Sequence, residues 1–307
     1  MQPAICEELG VDPAKVIAIT GHDTQSAVVS VPTQNEDFIF ISCGTWSLFG
    51  TELQGPVIGE KSLECNVSNE GGYGNTTTLL KNIIGLWLAQ ESRRQWIREG
   101  QEYSFGELEQ MAVKAEPFQS FIDPDSPEFV AAGNIPERIR EFCRKTGQKV
   151  PETIGEIMCC INQSLALKYR YALEQIEACT GKHYPVINMI GGGIQSKLLC
   201  QMTAGANGRK SYRRTCRSNS TWKYCCTVDG SWRNQRCKRS KNRSSQIQKL
   251  HMSISRRMRK NGMLHMRNLK HLFINQGGNV SWQNQDLLGT NPVIGIRTYN
   301  RRKKRSS

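Results

Sequence analysis

Glutamate is absent from residues 211–307 of this 307-residue chain, and only two aspartates, Asp229 and Asp286, stand there against 23 lysines and arginines. That stretch carries +21, whereas residues 1–210 hold 25 acids against 18 bases, a net −7. The overall charge of +14 is therefore a property of the last third, not of the chain as a whole. Also missing is any run of about 18 apolar residues, which excludes a membrane-spanning helix. No basic-then-apolar leader follows Met1, so the expectation is a cytoplasmic protein whose twelve cysteines are reduced thiols. The glycosylation sequons at Asn66 and Asn75 then carry no meaning. The basic stretch lacks a Cys-x2-Cys pair. Cys216, Cys225, Cys226, Cys237 and His251 are therefore poorly spaced for zinc.

What is present in the first two thirds alternates. Val16 to Thr20 and Phe38 to Ser42 are short apolar runs that meet Gly21-His22-Asp23-Thr24 and Gly44-Thr45, and both read as buried strands ending in polar turns. Leu80, Ile83, Ile84, Trp87 and Leu88 predict a helix over about Thr78 to Glu99. Asp123 to Ser126 is rich in turn formers, and a short helix is expected near Pro136–Lys145. The longest periodic segment runs from about Glu152 to Ala178, with Cys159 and Cys160 as small core residues and Gly181 as its stop. Val186 to Ile190 reads as a strand, Gly191-Gly192-Gly193 as a turn, and Ser196 to Ala204 as a helix. Strands alternating with helices predict an α/β domain.

Four places could carry chemistry, and each has a plainer reading. A strand, three glycines and a helix can bring backbone N–H groups to a phosphate, or can be only a tight turn. Asp23 at a strand end could take a proton from a hydroxyl, or could cap the next helix. Thr45 could meet a phosphate or sit in a turn. Asn82 and Gln90, eight apart on the expected helix, would share one face and need partners.

Taken together, GHDTQSA, SCGTWSLFGTEL, NEGGYGNTTTLLKNIIGLWLAQ and MIGGGIQSKLLCQMTA resemble consecutive motifs of the FGGY carbohydrate kinases, over about residues 1–210. The resemblance implies an α/β fold of the actin-like ATPase (ribonuclease H-like) kind, with Mg-ATP and sugar in a cleft between two domains. Residues 1–30 would be the end of the first domain and 31–210 a truncated second one. The implied reaction is ATP-dependent phosphorylation of a sugar. L-rhamnulose giving L-rhamnulose 1-phosphate is the first expectation, and L-fuculose or xylulose the alternatives. Asp23 matches the base, His22 and Thr24 would line the sugar pocket with it, and Asn82 matches a sugar contact. Thr45, Gln90, Gly192 and Gly193 match ATP contacts. No protein residue is implied as a metal ligand. The family's acidic, Gly-rich phosphate loop has no counterpart before Val16, so the chain itself is expected to be inactive. Without the partner domain and the final strand and helices, core surface and a sheet edge stay uncovered, and it is expected to fold poorly.

After Lys210 the expected continuation, a Gly-Pro-Val-Glu-Ala-Thr strand and a long helix, is replaced by SYRRTCRSNSTWKYCCTVDGSWRN. Reading each codon here as the last base of one parental codon plus the first two of the next changes the picture. Trp222 then gives Gly, Lys223 permits Asn or Lys, Tyr224 permits Ile or Met, Cys225 and Cys226 give Ala or Val, and Thr227 permits Gln. Residues 211–307 are thus expected to be an out-of-frame tail, disordered by composition. The competing reading is a basic nucleic-acid-binding protein on an inactive kinase-like scaffold, with Trp222, Tyr224 and Trp232 stacking bases. The frame reading predicts non-specific, salt-sensitive polyanion binding alone, with no specific nucleic acid and no membrane as partner.

Overall fold

The structure is a computed structural model that describes residues 2–12, 23–29, 31, 33, 35 and 37–213, for Asp23 and Arg213 the backbone alone. Helix α1 (Pro3–Leu9) lies at the start, and α2 (Asp23–Val29) begins at the aspartate singled out above. A six-stranded sheet follows in the order β3-β4-β2-β1-β5-β6. Its strands are β1 (Ile39–Cys43), β2 (Trp46–Leu53), β3 (Ser68–Gly71), β4 (Thr77–Ile84), β5 (Val186–Ile190) and β6 (Lys210–Arg213). The helices are α3 (Glu60–Glu64), α4 (Trp87–Arg98), α5 (Phe105–Lys114), α6 (Ile135–Lys145), α7 (Ile154–Thr180) and α8 (Lys197–Asn207). This is the alternating α/β architecture expected. The strand expected over Val16–Thr20 lies outside the described residues, as does everything past Arg213.

Strand direction decides where a site can form. β1 pairs antiparallel with β2, and β2 antiparallel with β4, so β4 runs the same way as β1. β5 is parallel to β1, and β6 to β5. The carboxyl ends of β1, β4, β5 and β6 therefore share one edge of the sheet. In open α/β sheets that edge is where ligands bind.

Alternation along the strands sorts the two faces. Ile39, Ile41 and Cys43 of β1 and Ile187 and Met189 of β5 enter the main core under α7 and α8, with Ile157, Ile161, Leu165 and Leu173 of α7 against them. Phe38, Phe40 and Ile190 face the other way and pack with Ala27 and Val28 of α2. Burying each large aliphatic side chain stabilises the fold by about 1.5–3 kcal/mol. Helix α7 is held at both ends by signals visible in the sequence. The Thr153 hydroxyl accepts from the Glu156 N–H while the Glu156 carboxylate accepts from the Thr153 N–H at 2.9 Å, and Gly181 closes the helix at φ 66°. Cys159 and Cys160 are core residues, 2% and 1% exposed. Among the described residues no helix is long and apolar enough to cross a membrane.

The expected helix over Thr78–Glu99 is corrected. The segment is two elements, strand β4 and helix α4, separated by Gly85 and Leu86. Leu80, Ile83, Ile84, Trp87 and Leu88 fit a helical period by coincidence. β4 is buried on both faces, and such a strand reads as a continuous apolar run rather than an alternation. Its β-branched residues Thr77, Thr78, Ile83 and Ile84 and the glycine after them were the contrary signal. Asn82 and Gln90 consequently do not share a helix face. The alternation of elements also continues past residue 210, because Ser211, Tyr212 and Arg213 pair with Ile187, Asn188 and Met189.

Candidate active site

The site grows from two turns and a junction at the shared strand edge. Gly44 and Thr45 join β1 to β2. The junction after β4 is stitched to them: the Gly85 and Trp87 N–H groups both donate to the Thr45 carbonyl at 3.1 Å, and the Leu86 N–H donates to the Gly44 carbonyl at 3.0 Å. This places α4 directly over the turn. The Thr45 hydroxyl then donates to the Gln90 side-chain oxygen at 3.1 Å. Two residues 45 apart in sequence, both expected on the ATP side, are hydrogen-bonded to each other.

The glycine turn after β5 closes the other side. Gly191 has φ 85°, and a Cβ there would lie 2.6 Å from the Cys43 carbonyl oxygen. A Cβ at Gly193 would lie 2.6 Å from the Cys43 Cβ and 3.1 Å from Leu86. Only glycine lets this turn close onto β1 and the β4–α4 junction. Gly192 differs: an added Cβ would meet nothing within 4 Å, so its backbone borders open space. The turn becomes a 3-10 segment, Gly192–Gln195, before Ser196 caps α8 through the Leu199 N–H at 3.1 Å.

Beneath the site the floor is uncharged. The Ser47 hydroxyl and the Tyr169 hydroxyl are 2.6 Å apart, and Phe49 stacks on Tyr169 at 6.4 Å. Burial pushes the Cys43 thiol and the Tyr169 phenol far above their ordinary values, so both stay protonated near neutrality. Thr45 and Trp46 are exposed above them. No negative charge on Thr45, Gln90, Gly192, Gly193 or this floor would repel a phosphate.

The other expected residues are placed less completely. His22 lies outside the described residues. Asp23 is the first residue of α2, Thr24 is 2% exposed, and Gln25 accepts from the Thr78 hydroxyl of β4 at 2.9 Å. Asn82 is exposed on β4, opposite Leu48 of β2. It lies four residues beyond Thr78, hence on the face of the sheet that α2 covers. Thr24 and Asn82 thus lie to one side of the strand edge, and the Thr45–Gln90 pair on it. Gly85 and Leu86, which bind the elements of the site together, were hidden inside the expected helix. No group of three His, Cys, Asp or Glu able to hold a metal ion occurs among the described residues.

The profile of the FGGY family of carbohydrate kinases, C-terminal domain, matches residues 39–221. The chain belongs to this family. Its FGGY domain takes in β1 to β6 and the whole strand-edge site. Rhamnulokinase of Bacillus subtilis is 41% identical over 207 residues, covering 67% of this chain and 42% of that protein. Rhamnulokinase of Bacteroides thetaiotaomicron is 44% identical over 199 residues, covering 65% of this chain and 40% of that protein. The chain thus spans about two-fifths of the length of these relatives. Among solved structures, xylulose kinase from Rhodospirillum rubrum aligns with a TM-score of 0.55 at 9% identity, covering 89% of this chain and 53% of that one. At that identity the likeness concerns the fold: the FGGY domain here is an α/β domain of the sugar-kinase, actin-like kind.

Proposed function

We propose that the described domain is one wall of an ATP-dependent sugar kinase, and that the sugar is L-rhamnulose, phosphorylated to L-rhamnulose 1-phosphate. The observation that carries the nucleotide part is the Thr45–Gln90 pair at the β4–α4 junction, against whose Leu86 the glycine turn closes at Gly193 while Gly192 borders open space. An uncharged edge with room for close backbone approach fits the phosphates and sugar of a nucleotide. The two rhamnulokinase relatives, at 41% and 44% identity, support the choice of sugar. ATP would lie along the edge against Thr45, Gln90, Gly192 and Gly193, and Mg2+ would be carried on its phosphates. The sugar would lie toward His22, Asp23, Thr24 and Asn82. Its hydroxyl oxygen attacks the γ-phosphorus, the bond to the β-phosphate oxygen breaks, and the hydroxyl proton passes to Asp23.

A graft tests this reading. Residues 1–210, put in place of the matching segment of the Bacillus subtilis relative, are expected to give a kinase that turns over L-rhamnulose with ATP. A graft that folds and phosphorylates L-fuculose or xylulose in preference would overturn the sugar assignment. A folded graft without turnover on any sugar would overturn the kinase reading.

The domain organisation follows the same reading. Residues 1–30 end a first domain, 31–210 form the second, and 211–307 are the gene's continuation in another frame. The G-N-I-A-V-Q permitted by residues 222–227 supports the last point. The stretch would then bind polyanions only through its +21 charge, weakly and with steep salt dependence. The DNA across codons 209–211 decides it. Deleting one base there is expected to restore Gly-Gly-Pro-Val-Glu-Ala-Thr, and the proposal fails when no single-base edit does.

A further inference from the structure

A buried ion cluster lies behind the strand edge, outside the residues assigned to sugar or nucleotide. Lys168 of α7 has a side chain only 3% exposed, and its ammonium stands 2.7 Å from Asp123 Oδ1 and 3.0 Å from Asp125 Oδ2. The same two carboxylates act electrostatically on buried Lys81 of β4, whose ammonium donates to the Cys65 carbonyl at 2.7 Å. The second carboxylate also holds backbone, because Asp125 Oδ1 accepts the Ile84 N–H at 2.7 Å. Strand pairing explains why that N–H needs a partner. β3 covers β4 only from Thr77 to Leu80, so among the described residues the far half of β4 has no strand on that side. Ile84 is its last residue. The next three donate the hydrogen bonds that hold the Gly44–Thr45 turn, and Gln90 follows on α4.

We infer that Asp125 is a positioning residue for the strand-edge site: held by buried Lys168, its carboxylate fixes the end of β4 and, through Gly85 to Trp87, the Thr45–Gln90 pair. The 123–129 segment is built as a clamp. The Asp125 N–H donates to Asp123 Oδ1 at 3.1 Å, and the Ser126 N–H to the Asp123 carbonyl at 3.0 Å. Four residues beyond Asp125, the Phe129 carbonyl accepts the Trp87 indole N–H at 3.0 Å. The β4–α4 junction is thus gripped on both sides of Gly85 and Leu86 by one short segment, and that segment is anchored on α7. A pair serving stability alone would need neither the Ile84 contact nor the indole contact. The charge also matters, because a carboxylate accepts an N–H more strongly than a neutral oxygen does. What the clamp positions for, a nucleotide, rests on the proposed function; the clamp itself does not.

Hydrogen exchange on the full 307-residue chain tests the clamp without any ligand. In Asp125→Ala the Lys168–Asp123 pair remains. Amides 84–87 and 44–46 are expected to exchange about tenfold to hundredfold faster, while those of α7, α8, β1 strand residues 39–42 and β5 keep their rates. Asp125→Asn, which retains an oxygen acceptor, is expected to recover part of the protection. Unchanged exchange at 84–87 in Asp125→Ala overturns the inference. Uniform acceleration over the whole domain overturns it too, because that is the mark of a merely stabilising pair. ATP titration of the same chains separates the two readings. Weaker binding by Asp125→Ala than by wild type extends the clamp to the ligand. A wild-type chain that binds no ATP counts against the nucleotide site, and the exchange result still decides the clamp.

Discussion

In the grafted kinase, Asp23→Asn is expected to cut kcat by about 10²–10⁴-fold, the usual contribution of a positioned base, with the KM for ATP unchanged. The substitution keeps the shape of the side chain and removes its ability to take the sugar's proton. It also separates the two roles that the sequence left open. Asparagine caps a helix about as well as aspartate, so a residue that only starts α2 would tolerate the change. The platform behind it is firm: Thr24, Gln25 and Ser26 are buried, and Val28 packs on Phe40. The loss should therefore be chemical rather than a loosening of α2. The constancy of KM follows from geometry. The proposed nucleotide contacts, Thr45, Gln90 and the glycine turn, come from other elements. Turnover within tenfold of the unsubstituted graft would remove Asp23 from the role of base. A raised KM for ATP with kcat intact would put it on the nucleotide instead.

Much of this domain could be read from residue order. Helix α7 was legible because its period is long and Gly181 marks its end, strand β5 because a short apolar run meets three glycines, and helix α8 because it starts at Ser196, which caps it. Strand β2 and the short elements α3 and β3 left no comparable pattern. β2 is half covered on one face and buried on the other only in part of its length. At the site, the motif resemblance brought out Thr45, Gln90 and the glycines, but not that Thr45 and Gln90 touch. Their contact depends on the β4–α4 junction, and β4 imitates a helix because both of its faces are buried. The Asp125–Lys168 cluster was illegible for a different reason. Its members lie 43 residues apart, Asp125 sits in a stretch that reads as an ordinary turn, and nothing in a lysine's neighbours along a helix says whether its ammonium reaches water. Only the fold shows that Lys168 is 2% exposed.

Lys168→Met should therefore be the most damaging single change to stability away from the apolar core, lowering it by about 3–5 kcal/mol, as removal of one partner from a buried ion pair does. A domain has about 5–15 kcal/mol in total, so the loss takes a large share. Methionine fills nearly the same space, and what remains is two carboxylates that have lost their ion-pair partner, with buried Lys81, whose ammonium donates to the Cys65 carbonyl at 2.7 Å, as the remaining cation whose field reaches them. The pH dependence identifies the cause. Burial already pushes the Asp123 carboxyl up, and Lys168 is the first influence opposing that. Burial pulls Lys168 down, but the two carboxylates outweigh it and hold its ammonium above the ordinary lysine value. A raised lysine contributes stability that is fully present below the unfolded lysine pKa and is lost only as pH rises through the folded one. The wild-type pair is therefore intact at neutral pH. In the methionine variant the Asp123 carboxyl rises further, and a raised carboxyl costs stability above its folded pKa and relieves that cost when it takes up a proton. The gap between wild type and variant, measured by urea unfolding, is expected to be widest near pH 7–8 and to narrow toward about pH 4–5. A gap that stays constant across that range would assign the loss to side-chain packing and not to stranded charge.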